Sequence, residues 1–244
     1  MKRTDSSKTA SRVAATLGAA LLMLTACFFA SGWLGYEPSG AVVHTAGVPK
    51  GARTASDEYG WNLMLVNGES YIPQGYEIKL TRLENGERLD KRICPCLQEM
   101  FAAAREEGIY LEVTSGYRSS REQGEIMEQR KEKYESMGYA GDEAVAMAAS
   151  WVMEPGTSEH QLGLAADINS AFGDSGEAYD WLAENAHEYG FILRYPEDKT
   201  EVTGIDYEPW HYRYVGREAA KEIYEQGLCL EEYVEALEAR PPAG

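Results

Sequence analysis

Two short stretches hold the residue types that could do chemistry together. In TSEHQLGLAAD, residues 157–167, His160 and Asp167 stand seven positions apart with Gly163 between them. A glycine there allows a tight bend, and ligands on either side of such a bend can converge on one metal ion. A third ligand must come from elsewhere, and EPWH, residues 208–211, offers His211 with Glu208 three positions before it. Two imidazoles and one carboxylate, with a fourth position open to water, make a catalytic zinc set. A zinc ion held there lowers the pKa of its water from about 15.7 to about 7, and Glu208 is placed to take the proton as general base.

In metallopeptidases with an H-E-x-x-H pattern, base and ligands share one helix. Here Pro209 separates Glu208 from His211, and a proline argues against a helix interior. The chain has four histidines. His44 lies in a segment rich in small residues and is expected to be exposed, and His187, in ENAHEYG, has no such company and reads as structural. Arg118, in TSGYRS, projects a forked cation from the end of an expected strand. Such a fork can hold a carboxylate or an oxyanion, although spacing alone favours an ordinary surface salt bridge.

These side chains need a frame. WNLMLVN, from Trp61, reads as a buried strand, and CLQEMFAAAREEG carries apolar residues at helical spacing up to Gly108, a good stop. IYLEVTSGYR alternates and is β-branched, so a strand is expected to run into a turn. Two helical stretches follow, the long polar SREQGEIMEQRKEKYESMG and then DEAVAMAASWV. GLAADIN, FILRY and PWHYRYV read as strands, and EAYDWLAENAHEYG, REAAKEIYEQG and LEEYVEALEA as helices. The mixture lacks a regular βαβ alternation and has no internal repeat, so the expected class is α+β, a small mixed or antiparallel sheet flanked by helices.

Composition bounds the function. At 244 residues the chain has room for one sizeable domain with appendages. A net charge of −17 argues against nucleic acid as a partner, because phosphate-backbone binding is driven by Lys and Arg. Residues 1–12 carry Lys2, Arg3, Lys8 and Arg12 against Asp5, and no charge follows from Val13 to Tyr36. A basic flank before an apolar run long enough to cross a bilayer fits a signal anchor, a cleaved signal, or a lipoprotein signal with LTAC ending at Cys27. Each of these puts the working domain, expected at 57–244 after a linker at 37–56, outside the cytoplasm. The remaining thiols are Cys94, Cys96 and Cys229. CPC is too tight for an ordinary zinc pair. An extracellular setting permits a disulfide from Cys229 to Cys94 or Cys96, and the alternative is that they are small buried hydrophobes.

Taken together, SGYRSSREQ, GTSEHQLGLAADI and YEPWHYRYVG resemble the motifs of the VanY-type D-alanyl-D-alanine carboxypeptidases, zinc peptidases of the bacterial cell wall related in fold to the Hedgehog signalling domain. The pattern S-x-H-x6-D followed by E-x-W-H is met by Ser158, His160, Asp167, Glu208, Trp210 and His211, and the likeness covers about residues 58–238. It implies that His160, Asp167 and His211 bind one Zn2+ and that Glu208 acts as base and then acid. It implies that Arg118 stabilises the tetrahedral oxyanion. Ser158, Gln123 and Ser115 are implied to hold the peptide and its terminal carboxylate, and Trp210 to form the pocket wall. The implied partner is a peptidoglycan stem peptide, from which the terminal D-Ala is removed. An L,D-carboxypeptidase acting on tetrapeptide stems carries the same zinc motifs, whereas a non-catalytic wall-binding module on the same fold is expected to have lost a ligand or the base, and here His160, Asp167, His211 and Glu208 are all present. A vancomycin-resistance role and ordinary wall maturation are equally compatible with the sequence. The likeness is weakest between Gln123 and Gly156, where RKEKYESMGYAGDEAVAMAASWV makes the helical region long, and this leaves the substrate rim open.

Overall fold

The computed structural model of the chain describes residues 39–42 and 48–240. The expected N-terminal apolar segment with Cys27, and His44, lie outside the described residues. Within them no helix is long and apolar enough to cross a membrane.

The elements run β1 (Ser39–Val42), β2 (Arg53–Thr54), β3 (Ser70–Tyr71), β4 (Glu77–Arg82), β5 (Arg88–Asp90), α1 (Cys94–Glu106), β6 (Leu111–Ser115), α2 (Ser120–Ser136) and α3 (Asp142–Ala149). They continue with β7 (Ala165–Ser170), α4 (Gly176–Asn185), β8 (Phe191–Leu193), α5 (Thr200–Thr203), β9 (His211–Tyr214), α6 (Arg217–Gln226) and α7 (Leu230–Glu238). The principal sheet is antiparallel with order β6-β7-β9-β8, and a second antiparallel sheet has order β1-β4-β5. β2 and β3 form a short parallel pair. This is the expected α+β class, with antiparallel sheets and flanking helices.

Helical periodicity explains how the principal sheet is covered. α1 buries Leu97, Met100, Phe101 and Ala104, one face at i, i+3, i+4 and i+7, and stops at Gly108, whose φ is +86°. α6 and α7 close the other end through Ala219, Ala220, Ile223, Leu230 and Val234, packed with Ile192 and Val215. α2 differs, because Gln123 is its only buried residue. Its start is fixed locally instead, by a capping box between Ser119 and Glu122.

The fold corrects one sequence expectation, the strand at WNLMLVN, and adds detail to two others. WNLMLVN forms turns and an irregular segment, although Met64 and Val66 are buried. The carbonyls of Asn62 and Met64 are taken by the Arg213 guanidinium at 3.0 and 2.9 Å, so a side chain replaces the strand ladder. Part of the segment expected to be a linker is ordered: β1 runs antiparallel to β4, pairing Ser39 with Leu80 and Val42 with Glu77. Cys94, Cys96 and Cys229 are all free thiols, so the disulfide that the setting would permit is not made. Cys94 and Cys229 are buried, and burial pushes each thiol up to about 11.

Candidate active site

Strand register brings the two motifs together. Asp167 pairs with Ser115 on one side and with His211 on the other, so the three residues form one row across β6, β7 and β9. His160 arrives by a different route, on a short 3-10 turn, Glu159–Leu162, that ends at Gly163. Gly163 has φ +67°, and a Cβ there would lie 2.3 Å from Ile78 Cδ1. Only glycine lets the chain reverse this close to β4 and carry Asp167 back toward His160. Glu208 and His211 are joined by a turn in which the His211 amide donates to the Glu208 carbonyl at 3.1 Å, with Pro209 inside the turn and no helix there.

His160 Nε2 lies 3.3 Å from Asp167 Oδ1, and His211 Nδ1 lies 3.2 Å from the same oxygen. The three ligand atoms offered by His160, Asp167 and His211 all fall within 4.8 Å of one another. Zinc bonds of about 2.0–2.1 Å at tetrahedral angles put ligand atoms about 3.3 Å apart, so the donor set fits the ion. Asp167 Oδ1 is also buried with no hydrogen-bond partner, a costly state for a carboxylate oxygen that a cation would relieve.

Each of these three side chains has a neighbour behind it. His160 Nδ1 is 2.7 Å from the Gly116 carbonyl, which fixes the tautomer that leaves Nε2 as the free lone pair. Gly116 is required there, since a Cβ would meet the Arg88 carbonyl oxygen at 2.3 Å. Asp167 Oδ2 accepts from Arg118 Nη2 at 2.9 Å. His211 Nε2 stands 3.5 Å from Glu159 Oε2. Glu159 is fully buried, and its other oxygen accepts from Arg194 Nε and Arg213 Nη1, each at 2.7 Å. Arg194 in turn donates to Glu231 on α7 at 2.8 and 2.6 Å.

These contacts and burial pull on the ionisation of each side chain in opposite directions. Burial alone would raise the Asp167 carboxyl, but the two imidazoles hold it well below the usual carboxylate range. Burial likewise opposes ionisation of Glu159, and Arg194 and Arg213 overcome it. His160 is lowered by burial and by Arg118. His211 is raised to about 9 because the neighbouring carboxylates of Asp167 and Glu159 outweigh burial. The Glu208 carboxyl, whose Oε2 is 3.6 Å from His211 Nδ1, is pushed up to about 7 by burial, with Asp167 adding to the rise and His211, Arg118 and Arg130 opposing it. A carboxylate tuned to near neutrality is suited to taking and returning a proton.

A cavity of ≈ 120 Å³ opens over the cluster and is lined by Arg118, Gln123, Ser158, His160, Asp167, Glu208, Trp210 and His211 among others. Eight of the nine residues singled out in the sequence line it. The ninth, Ser115, accepts from Arg118 Nε at 3.0 Å and so acts on the cavity through that arginine. Gln123 is used internally at both ends: its Nε2 donates to the Met153 carbonyl at 2.7 Å, and its Oε1 faces Arg118 Nη1 at 3.5 Å. His187 lies elsewhere, stacked on Tyr224 with ring centroids 3.7 Å apart. Sequence reasoning missed Glu159, Tyr195, Arg130 and Trp151. Trp151 stacks on Trp210 at 6.5 Å and an interplanar angle of 15°, which makes the long region between Gln123 and Gly156 a wall of the cavity.

Comparison with known proteins agrees with this geometry. The family model for VanY, D-alanyl-D-alanine carboxypeptidase, matches residues 86–217. A D-alanyl-D-alanine carboxypeptidase of Enterococcus faecalis is 54% identical over 185 residues, covering 75% of this chain and 69% of that protein. A solved structure of a mutant of the vancomycin-resistance D,D-pentapeptidase VanY from a VanB-type cassette, in complex with Zn(II), matches with a TM-score of 0.70 at 55% identity, covering 71% of this chain and 99% of that one. The structure of VanYB with D-alanine-D-alanine matches with a TM-score of 0.71 at 55% identity, covering 72% and 98%.

Proposed function

The chain belongs to the VanY family of D-alanyl-D-alanine carboxypeptidases, with the Hedgehog/DD-peptidase-like fold, and from that premise we propose that it is a zinc carboxypeptidase removing the terminal D-Ala from peptidoglycan stem peptides. The observation that carries this is the convergence of His160, Asp167 and His211 on one point beneath the cavity, with Glu208 beside them. The likeness at 55% identity to a protein solved with D-alanine-D-alanine supports the D,D-reaction over the L,D-alternative.

His160 Nε2, Asp167 Oδ1 and His211 Nδ1 are the atoms that would hold the zinc. When bound, the ion supplies Lewis acidity at the scissile carbonyl and makes water a stronger acid. Glu208 takes the proton of the attacking water and returns it to the leaving amine, which its near-neutral pKa allows in both directions. The Arg118 guanidinium, anchored by Ser115 and Asp167, faces the oxygen that becomes negative as the tetrahedral centre forms. Trp210, backed by Trp151, forms an apolar wall that excludes water. Ser158 lines the cavity and is placed to meet the peptide end, while Gln123 acts by holding the Met153 segment and Arg118 in position.

The substrate class sets the compartment, because peptidoglycan lies outside the cytoplasm. The uncharged run from Val13 to Tyr36 supports tethering to the membrane, as a signal anchor or through a lipid on Cys27. The test is mass spectrometry of products from muropeptides ending in pentapeptide and in tetrapeptide, with and without a zinc chelator. Chelator-sensitive loss of D-Ala from the pentapeptide is the expected result. Loss from the tetrapeptide alone moves the chain to the L,D-class, and no loss from either, with zinc bound, removes the carboxypeptidase reading.

A further inference from the structure

An exopeptidase has to recognise the end of its substrate, and the end of a D-alanyl peptide carries a free carboxylate. Among the described residues two cations line the cavity, Arg118 and Arg130. Arg118 is already engaged, with Asp167 Oδ2 at 2.9 Å and Ser115 Oγ at 3.0 Å. Arg130 makes no ion pair among the described residues, and its guanidinium carbon lies 5.8 Å from the centroid of the Trp151 ring.

The placement of Arg130 follows from helix geometry. Gln123, Ile126 and Arg130 line the cavity at i, i+3 and i+7 of α2, so one face of that otherwise polar helix looks into the site. Trp151, beyond α3, sits beneath the arginine and stacks on Trp210, the residue before the ligand His211. A guanidinium over an aromatic face keeps its charge while losing conformational freedom. Ile126, Val152 and Ile205 supply apolar lining in the same cavity, suited to a methyl side chain.

Resting on the carboxypeptidase reading, we propose that Arg130 is a specificity-determining residue that binds the terminal carboxylate of the substrate, with Trp151 as its seat. The long α2–α3 region is then the part of the chain that makes the site select free C-termini. Arg118 is left for the oxyanion, so the two negative charges of the reaction have separate cations.

The test compares an acetylated peptide ending in D-Ala-D-Ala with its C-terminal amide. In the zinc-loaded enzyme Arg130→Gln should raise KM for the free acid by about tenfold or more, the scale of a charge-assisted hydrogen bond. It should leave the amide little affected, and Arg130→Lys should restore part of the preference. Calorimetric binding of both peptides to zinc-loaded Glu208→Ala protein, with and without Arg130→Gln, gives the same comparison without turnover. Zinc content and thermal midpoint are measured on every variant. An acid preference that survives Arg130→Gln overturns the proposal, as does a protein that binds acid and amide alike. If the wild-type enzyme releases no D-Ala, the carboxypeptidase reading fails, and the calorimetry still decides the role of Arg130.

Discussion

Glu159 Oε2 stands 3.5 Å from His211 Nε2, on the side of the ring away from Asp167. With zinc at His211 Nδ1 as proposed, this carboxylate would stand behind the ring as the outer member of a carboxylate–histidine–metal arrangement, where such a partner sets the tautomer and raises basicity. Glu159 is itself held by two arginines that are 0% exposed, so it has no freedom to turn away. Glu159→Gln is therefore expected to lower zinc affinity by about 10- to 100-fold. Competition with a chelator of known affinity reads this directly. An unchanged zinc affinity in folded protein would remove Glu159 from the support of the metal site.

Glu208 has a different expected signature, because the role proposed for it is proton transfer rather than ligation. Glu208→Ala should keep its zinc and lose about 10²–10⁴-fold in kcat for D-Ala release, the scale of general acid–base catalysis. Metal analysis of the purified variant accompanies the rate. A folded, zinc-loaded Glu208→Ala enzyme with wild-type rates is incompatible with the mechanism.

The contrast between Glu208 and Glu159 shows what was legible in the sequence. Glu208 could be singled out because it sits three residues before His211, and local spacing alone exposes it. Glu159 is adjacent to His160 and equally visible, but its partners Arg194 and Arg213, and Glu231 behind Arg194, are scattered over the following 72 positions, and only folding gathers them. The helices and the strands of the principal sheet were legible because their periodicity or flanking glycines are local. β1, β4 and β5 were not, since Ser39–Val42 lies in a stretch of small residues and its pairing with β4 is long-range. WNLMLVN has the composition of a strand, yet Arg213 takes the carbonyls that a neighbouring strand would have used. The rim residues Arg130 and Trp151 are marked by no motif and come together only because α2 and the segment after α3 pack over the site.

The buried network predicts how the protein responds to acid. Burial raises the Glu231 carboxyl, but Arg194 and further hydrogen bonds hold it below its ordinary value in the folded state. A depressed carboxylate contributes stability that is present above the unfolded pKa, about 4.3, and is lost as pH falls through the lower folded pKa. Wild-type thermal midpoints should therefore drop as pH falls below about 5. Glu231→Gln should be destabilised by about 3 kcal/mol at pH 7, because Arg194 loses a buried partner, and its midpoint should fall less steeply in acid. Parallel melting curves from pH 7 to pH 3 check both, and equal acid slopes would falsify the assignment.

Gly163 tests whether the bend between the proposed ligands His160 and Asp167 is itself required. Its φ of +67° suits glycine, and a side chain at this position would bring its Cβ to 2.3 Å from Ile78 Cδ1 and 3.0 Å from the Asp90 nitrogen. The isoleucine end can move, but the Asp90 amide donates to the Gly163 carbonyl at 3.0 Å and is part of the backbone. Gly163→Ala should cost about 1–3 kcal/mol from backbone strain alone. The chain has to relax by shifting the turn that carries His160, so zinc affinity should fall together with stability. Ile78→Ala in the same background removes the side-chain clash and leaves the strained φ. If the double variant recovers zinc affinity but not stability, crowding against β4 displaced His160. If it recovers neither, the left-handed conformation of residue 163 is what holds His160 and Asp167 on one ion.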